Sequence, residues 1–362
     1  MGNRPSYFAR NWKLILNIIT VAALLGLVYL IRHQIIETFH NLHRVNLWWI
    51  ASMIPIQILN YHAQTKLYQG LFKVVGNKLR FWPVYRVALE LNFVNHVFPS
   101  GGVSGISYFG VRLRRGDITG GKATLVQAMK LALVFISFEV LLVVGLVFMA
   151  GEGRINNLVI LAASSISTLM FVGTLVFIYV IRSDYRIKAT FSGLTNFINT
   201  AVRAVFPRKR EVLNLARVER VVEEFHHNYK VIERNYKQLK GPFWWALVIN
   251  ATEVGAIYVV YIAFGEWVNL GAVILAYAVA NFAGLVSVLP GGVGIYEALM
   301  TGVLAASGVP AALSLPVTVM YRVINTLIQV PPGYYLYHRS LHGIDSKNDD
   351  VHLEVRPNND AS

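Results

Sequence analysis

Three ionisable side chains interrupt apolar stretches of this sequence, and their types suit the binding of an anion. Arg322 lies in the apolar stretch Ala311–Tyr337, and Lys130 lies in the stretch Leu125–Ala150. Glu297 follows a glycine-rich break in a third apolar stretch. A charged side chain inside a bilayer is costly unless it is paired or faces a cavity. Because arginine binds phosphate through two parallel hydrogen bonds, these residues predict a phosphate-binding site within a membrane.

Each of these residues also has a structural interpretation. Arg322 either holds a lipid phosphate or forms a structural ion pair. Its candidate partners are Glu297, Glu253 and Glu139. Lys130 either binds phosphate or extends its ammonium group towards the cytoplasmic surface. Glu297 either interacts with Arg322, an amine or a proton, or caps the helix that follows the glycines.

Two apolar stretches are interrupted by similar glycine-rich breaks. The segments "NFVNHVFPSGG" (92–102) and "NFAGLVSVLPGG" (281–292) share Asn-Phe, Pro and Gly-Gly at offsets of 189–191 residues. A helix that restarts after such a break presents unpaired N–H groups and a positive dipole end, which bind anions. Glycine also lets a phosphate approach the backbone closely. The predicted backbone contacts are Gly101, Gly102, Gly291, Gly292 and Gly294.

Polar side chains flank the first break. Asn95 and His96 either satisfy the backbone groups that the break frees or contact the substrate directly. Arg112 follows the first break, within "VRLRRGD" (111–117). We expect Arg112 to bind anionic headgroups at the cytoplasmic side of the membrane.

The composition predicts an all-α, polytopic membrane protein. Of 362 residues, 55% are hydrophobic and 14% are charged, against about 25% charged residues in soluble domains. Seven apolar segments have about the length, roughly 20 residues, that a spanning helix needs. They are Leu14–Ile31, Leu47–Tyr61, Leu125–Ala150, Leu158–Ile181, Phe243–Phe264, Leu270–Leu289 and Ala311–Tyr337.

The lack of cysteine and the placement of the basic residues argue against a disulfide-rich protein, a cysteine-based metalloprotein and a nucleic-acid-binding protein. The chain has no cysteine, which excludes disulfides and cysteine-based metal or redox sites. No metal site and no cofactor is predicted. The net charge of +14 comes from basic residues in loops beside apolar segments, where the positive-inside rule accounts for them. We therefore expect no nucleic-acid partner.

The distribution of basic residues predicts the topology. The loop 182–240 has 13 Lys/Arg against 6 Asp/Glu, which places it, together with both termini, in the cytoplasm. Segment 82–111 must then enter the membrane from the cytoplasmic side and return to it. Segment 270–308 must do the same from the opposite side. The result is two units of helix, broken re-entrant hairpin and helix with opposite orientation. Such an inverted repeat is typical of secondary transporters.

The predicted organisation is a single membrane domain over residues 1–340. Repeat one covers about 45–150 and repeat two about 243–338. The cytoplasmic basic loop 182–240 lies between them and contains an amphipathic helix at the membrane surface. Residues 341–362 form a polar, disordered tail. The expected location is the cytoplasmic membrane of a bacterium or an archaeon.

Three segments resemble a known family. They are "NFVNHVFPSGGVSGISYFGVRLRRGDI" (92–118), "PGGVGIYEA" (290–298) and "MYRVINTLIQVPPGYYLYHR" (320–339). The chain resembles, over residues 10–340, the flippase-like integral membrane family built on the transmembrane domain of lysylphosphatidylglycerol synthase. The resemblance implies a bilayer-embedded fold that moves or handles anionic lipids such as aminoacyl-phosphatidylglycerol, cardiolipin or polyprenyl-phosphate sugars. The synthases carry a soluble aminoacyl-transferase domain after the membrane part, and none follows here, so we expect no synthase activity.

These features together predict a flippase-like transporter that moves or binds an anionic lipid in a polar cavity between the repeats. The stretch "GDITGGKAT" (116–124) lacks the hydroxyl of an ATP-binding loop, so movement is expected to be downhill or coupled to an ion. One alternative is a lipid-modifying transferase with Glu297 or His96 as general base. Another is a non-catalytic partner of a membrane glycosyltransferase or lipid synthase, docking through the basic loop.

Overall fold

The protein is a bundle of α-helices. The computed structural model describes residues 22, 25, 26, 28–98, 103–113, 118–151, 157–205, 215–286 and 293–342. The helices with defined bounds are α1 (Arg32–Asn41), α2 (Leu47–Ala51), α3 (Met53–Val74), α4 (Phe81–Val97), α5 (Val103–Leu113), α6 (Gly120–Gly151), α7 (Asn157–Ile181), α8 (Asp184–Val205), α9 (Leu215–Arg234), α10 (Lys240–Ala263), α11 (Leu270–Val286), α12 (Ile295–Ala306) and α13 (Ala311–His342). Within these residues no strand occurs, which confirms the all-α prediction.

Within the described ranges, four helical segments are long and apolar enough to cross a membrane. They are Gly120–Gly151, Asn157–Ile181, Tyr236–Ala263 and Ala311–Leu341. Leu270–Phe282 and Ile295–Ala306 are shorter apolar segments. Large apolar side chains on α6 and α7 are exposed, as expected of surfaces that face lipid tails. The prediction of a polytopic helical membrane protein is confirmed.

The predicted span Leu47–Tyr61 has different boundaries in the structure. The short helix α2 ends at Ala51, and α3 then runs from Met53 to Val74. Asn46 starts α2 by accepting a hydrogen bond from the Trp48 backbone N–H through Oδ1, at 3.0 Å. Helix α3 is not among the four apolar spans, because its buried face carries several polar residues.

Both predicted breaks fall between separate helices. Helix α4 ends at Val97 and α5 begins at Val103, while α11 ends at Val286 and α12 begins at Ile295. Residues 99–102 and 287–292 lie outside the described part of the chain. Each predicted hairpin is therefore a pair of consecutive helices that pack on each other, α4 on α5 and α11 on α12.

The helix contacts of the first half of the bundle correspond to those of the second half. Helices α3 and α10 pack on each other, α4 packs on α13, and α11 packs on α6. If α3, α4, α5 and α6 are exchanged for α10, α11, α12 and α13 in that order, the contact between α3 and α10 is unchanged. The contact between α4 and α13 then becomes the contact between α11 and α6. The inverted repeat requires this relation. The opposite orientation of the two units stays a prediction.

Aromatic residues mark the two ends of the bundle. The Asn46 N–H donates to the Ala263 carbonyl at 2.8 Å, so the start of α2 and the end of α10 lie at the same end. Trp48 and Trp267 are exposed there. Trp82 and Trp244 are exposed near the starts of α4 and α10, at the other end. Exposed tryptophans at both ends are typical of a membrane protein's interfacial belts.

The described parts of the predicted basic loop contain the α-helices α8 and α9. Helix α9 packs against the start of α6, where Glu224 Oε2 accepts a hydrogen bond from the Gly121 N–H at 3.0 Å. A carboxylate at a helix N-terminus is stabilised by the helix dipole. Lys188 on α8 bridges Asp184 and Glu223 at 3.1 and 3.0 Å. Those carboxylates raise the pKa of Lys188. The predicted polar tail lies outside the described residues from 343 onwards.

Candidate functional site

A layer of polar side chains crosses the bundle between two apolar clusters. On α10, Ala246 and Ile249 belong to one cluster, and Val254 and Ile257 belong to the other. The positions between the clusters are polar on three helices: Gln57 and Asn60 on α3, Ser137 on α6, and Asn250, Thr252 and Glu253 on α10. Buried polar groups are costly in a membrane protein, so this layer is a candidate site.

Hydrogen bonds hold this layer together. Asn60 Nδ2 donates to Thr252 Oγ1 at 2.8 Å and to Glu253 Oε1 at 3.1 Å, which joins α3 to α10. Asn250 Nδ2 donates to Ser137 Oγ at 2.6 Å, which joins α10 to α6. Helices from both halves of the chain are thus fixed to each other at the same level.

A cavity of about 300 Å³ adjoins the layer. Its lining residues are Gln64, Asn92, Asn95, His96, Glu253, Tyr277, Asn281, Tyr296, Tyr321, Arg322, Asn325, Thr326 and Gln329. They come from α3, α4 and α10 to α13, so residues distant in sequence converge here. The predicted site residues Arg322, Asn95 and His96 lie together in this cavity.

The cation of the cavity, Arg322, forms an ion pair with Glu297. Arg322 Nη1 donates to Glu297 Oε1, and both side chains are largely buried. Gln34 Nε2 donates to the same carboxylate oxygen at 2.8 Å, and the guanidinium lies 4.8 Å from the ring centroid of Tyr296. Of the three predicted carboxylate partners of Arg322, the structure places Glu297 in contact.

Glu297 also caps helix α12. Its Oε2 accepts a hydrogen bond from the Gly294 N–H at 2.7 Å. Gly294 has a φ of 86°, a conformation that favours glycine. The capping role predicted for Glu297 is therefore confirmed, and its contact with Arg322 is present at the same time. One carboxylate fixes both the start of α12 and the position of the guanidinium.

Glu253 has different neighbours from Glu297. Its Oε2 accepts a hydrogen bond from the Tyr321 hydroxyl at 2.8 Å, and its Oε1 accepts the bond from Asn60. In the part of the chain that the structure describes, no Lys or Arg forms an ion pair with it. Glu139, the third candidate, accepts instead from Ser167 on α7.

Lys130 lies beside the cavity and does not line it. Its Nζ donates to Gln64 Oε1 at 3.2 Å and to the Tyr68 hydroxyl at 3.1 Å. Gln64 Nε2 in turn donates to Asn60 Oδ1 at 2.7 Å. Lys130 is thus connected to Glu253 through two neutral amides.

The polar residues before the first break face the cavity. Asn92 Nδ2 donates to the Tyr61 hydroxyl at 2.7 Å and to Gln329 Oε1 at 2.8 Å. His96 Nδ1 lies 2.9 Å from the Asn92 carbonyl oxygen. The Asn95 amide lies against Gly105 of α5, where an added Cβ would be 2.1 Å from Oδ1. A glycine at position 105 therefore leaves room for this amide.

Arg112 belongs to a separate ion pair. Its Nε donates to Glu90 Oε2 at 2.9 Å, and the Tyr108 hydroxyl donates to the same oxygen at 2.7 Å. Arg112 does not line the cavity. Among the predicted glycine contacts, Gly101, Gly102, Gly291 and Gly292 lie outside the described residues, and Gly294 is described only as the start of α12.

Several lining residues were not predicted from the sequence. Tyr321, Asn325 and Gln329 on α13 occur at intervals of four residues, which places them on one face of a helix. That periodicity was visible in the sequence. Gln34 is not a lining residue, and it had no such signal, since its contact with Glu297 joins residues 263 positions apart. In the described ranges, no three His, Cys, Asp or Glu residues converge as metal ligands.

The fold and cavity define a multi-pass helical membrane protein with a polar site within its spanning region. The family model described as the lysylphosphatidylglycerol synthase transmembrane region matches residues 15–333. The chain therefore belongs to this family.

Similar proteins include UPF0104 membrane proteins of archaea. One from Methanothermobacter thermautotrophicus is 34% identical over 91 residues, covering 25% of this chain and 27% of the relative. One from Pyrococcus horikoshii is 22% identical over 171 residues, covering 46% of this chain and 49% of the relative. These two matches span less than two thirds of the relatives' length. One from Methanocaldococcus jannaschii is 21% identical over 334 residues, covering 89% and 92%.

Proposed function

We propose that this protein binds an anionic membrane lipid and moves its headgroup through the cavity beside Arg322. The observation that carries the proposal is the placement of an arginine in a polar cavity of about 300 Å³ inside a spanning bundle. The family description names the synthase of an aminoacyl phospholipid. The lipid's phosphate is the group that Arg322 would bind.

The chemistry of the lining supports an anionic headgroup. Hydrogen-bond donors surround the cavity as amides and phenols, in addition to the guanidinium of Arg322. The Tyr296 hydroxyl is buried and finds no hydrogen-bond partner among the described residues. A guanidinium has five donors, so it can contact a phosphate and Glu297 together.

The position of the cavity supports movement across the membrane. Arg322 lies 11 residues after the start of α13 at Ala311, which is about 16 Å along a helix. This distance is close to half the thickness of a bilayer's hydrocarbon core. Helices from both predicted repeats line the cavity, as in transporters whose sites lie at the repeat interface. The acyl or prenyl tails would stay in the bilayer.

The test is headgroup translocation in proteoliposomes that contain fluorescent phosphatidylglycerol, with a thermal-unfolding assay on each variant. We expect Arg322→Ala to abolish translocation, because the cation is lost. Arg322→Lys should restore it in part, since lysine keeps the charge and loses the bidentate geometry. Lys188→Ala, at an exposed bridge outside the bundle, is the control and should match the wild type.

Wild-type translocation by a folded Arg322→Ala variant would overturn the proposal. Loss of folding in Arg322→Ala would assign Arg322 a structural role, and Arg322→Met, which keeps more of the packing volume, then repeats the transport measurement. Mass spectrometry of the lipid after the assay checks the rival function. A change in the lipid's mass would indicate a lipid-modifying transferase instead.

A further inference from the structure

Glu253 is a carboxylate of the cavity whose described hydrogen-bond partners are neutral. It lies on α10, in the polar layer, and faces the cavity. Tyr321 and Asn60 each donate to one of its oxygens. The cation of the cavity, Arg322, is bonded to Glu297. A carboxylate held by uncharged donors inside a membrane is costly while it is ionised. Its protonation state can therefore change when another charge enters the cavity.

An anionic headgroup changes the charge balance at this site. Arg322 is paired with Glu297, so an ionised Glu253 leaves one negative charge on the cavity lining, of which Lys130 is not a part. A lipid phosphate adds a second negative charge within the same cavity of about 300 Å³. Like charges repel strongly where the dielectric constant is low. Neutralising Glu253 would remove this repulsion without disturbing the pair that holds the guanidinium.

We propose that Glu253 binds a proton when an anionic headgroup occupies the cavity, so that lipid binding and proton binding are coupled. This inference rests on the proposed function. The proton passes from a hydronium ion of the aqueous phase to a carboxylate oxygen, which leaves a water molecule and a neutral carboxylic acid. Release of the proton is the reverse step. Because coupling is reciprocal, a lower pH must strengthen lipid binding.

Tyr321 can accommodate both states of Glu253. A hydroxyl both donates and accepts hydrogen bonds. The Tyr321 hydroxyl donates to an ionised Glu253, and it accepts from the neutral acid after rotation about its C–O bond. No side chain has to leave its position, since the two oxygens are already 2.8 Å apart. Tyr321 is therefore a positioning residue for the proton.

The proton uptake of Glu253 has to be distinguished from that of the other titratable groups near it. They are Tyr61 on α3, Lys130 on α6 through Gln64, His96 on α4, Tyr277 on α11, Tyr296 and Glu297 on α12, and Tyr321 and Arg322 on α13. Phenols, lysine and arginine ordinarily titrate at about pH 10 or above. Glu297 is paired with Arg322. His96 is the competing group that needs its own variant.

The first experiment detects the proton directly, without lipid transport. Infrared spectra of the protein reconstituted in uncharged phosphatidylcholine are recorded between pH 4 and pH 9. We expect a carboxylic-acid C=O component that appears as the pH falls and is missing when the spectra of Glu253→Gln are compared with those of the wild type. The band should shift in Tyr321→Phe, because its hydrogen-bond partner is lost. Glu139→Gln, a carboxylate of the spanning region outside the cavity, is the matched control and should keep the band.

The second experiment counts protons taken up with the lipid. Dihexanoyl-phosphatidylglycerol is titrated calorimetrically into the purified protein in two buffers with different ionisation enthalpies. At a pH where the infrared band shows Glu253 ionised, we expect uptake of about one proton per lipid and binding that strengthens up to about tenfold per pH unit towards acid. Glu253→Gln should bind the lipid with little pH dependence and no uptake. His96→Gln changes a lining residue, and it should keep the same proton uptake per bound lipid even if its affinity changes.

The outcomes separate this inference from the proposed function. Identical carboxylic-acid bands in the wild type and in Glu253→Gln overturn the proton site. Lipid binding without proton uptake overturns the coupling and leaves the proposed function intact. Failure of the wild type to bind the lipid at any pH overturns both. Loss of all lipid binding in a folded Glu253→Gln variant would show that the carboxylate contacts the headgroup itself, and would also overturn the inference.

Discussion

Glu297 connects three elements of the protein through a single carboxylate. Its oxygens accept hydrogen bonds from the Gly294 N–H on the backbone, from Gln34 on α1 and from Arg322 on α13. A carboxylate can accept all three because it has about four lone-pair positions. Replacing it by glutamine removes the charge and one acceptor, so both the cap of α12 and the arginine are affected.

The pair of Glu297 and Arg322 should show strong energetic coupling. We expect Glu297→Gln to lower the free energy of unfolding by about 3–5 kcal/mol, because it leaves a buried guanidinium without its counter-charge. The double variant Glu297→Gln with Arg322→Met should be less destabilised than the sum of the two single variants. A coupling of about 1–3 kcal/mol is expected for contacting residues. Denaturant unfolding in detergent micelles measures all four proteins.

The exposed pair of Lys188 and Glu223 provides the control cycle. Both side chains are well exposed, and exposed pairs contribute little to stability, so no clear coupling is expected there. Additive effects of Glu297→Gln and Arg322→Met would contradict the ion pair as a structural unit. Such a result would return Glu297 to the role of a helix cap alone.

At the scale of elements, two helix contacts depend on glycine. An added Cβ on Gly271 of α11 would be 2.0 Å from the Gly145 carbonyl oxygen of α6. An added Cβ on Gly333 of α13 would be 2.8 Å from the Leu89 carbonyl oxygen of α4. Backbone atoms cannot move aside as a flexible side chain can. Small residues at such contacts let membrane helices approach closely.

Gly271→Ala should therefore force α11 away from α6. We expect a loss of at least about 1–3 kcal/mol in the free energy of unfolding, as for overpacked cores. Gly255→Ala on α10 is the matched control, because nothing lies within 4 Å of its added Cβ. That variant should be neutral or more stable, since alanine favours helix over glycine by about 1 kcal/mol. Equal stability of the two variants would exclude close packing at Gly271.

The contact between α5 and α4 should matter for the cavity more than for stability. Gly105→Ala would push the Asn95 amide away from its place, since the added Cβ would be 2.1 Å from Oδ1. We expect weaker lipid binding with a small change in melting temperature. Gly110→Ala on the same helix has open space around it and should bind lipid as the wild type does. Unchanged binding in Gly105→Ala would remove Asn95 from the site.

At the scale of the whole molecule, the two ends of the bundle should face opposite sides of the membrane. The chain has no cysteine, so single cysteines can be introduced at exposed positions. We expect Lys78→Cys and Lys237→Cys to react with a membrane-impermeant maleimide from the cytoplasmic side. Glu266→Cys and Pro310→Cys should react from the other side. Labelling of Lys78→Cys and Pro310→Cys from one side would exclude the inverted repeat.

The sequence by itself determined the class of the protein and pointed to the region of the candidate site. The long apolar segments exclude a soluble fold, because a chain with only 14% charged residues lacks the polar surface that a water-soluble protein needs. The breaks after Val97 and Val286 were predicted from local chemistry, because proline and glycine weaken a helix, although α13 continues through Pro316, Pro331 and Pro332. The choice of Arg322 as a candidate site residue also follows locally, from the cost of a charge within an apolar helix.

Only the tertiary structure decided which of the candidate residues meet. Arg322 had three carboxylates within reach of a sequence argument, and packing of α12 against α13 selected Glu297. Packing of α3 against α10 gave Glu253 its neutral partner Asn60. Side-chain periodicity fixes which face of a helix a residue occupies, whereas the rotation and depth of neighbouring helices fix what that face touches. Those quantities depend on contacts between residues almost 200 positions apart, which no local pattern in the sequence specifies.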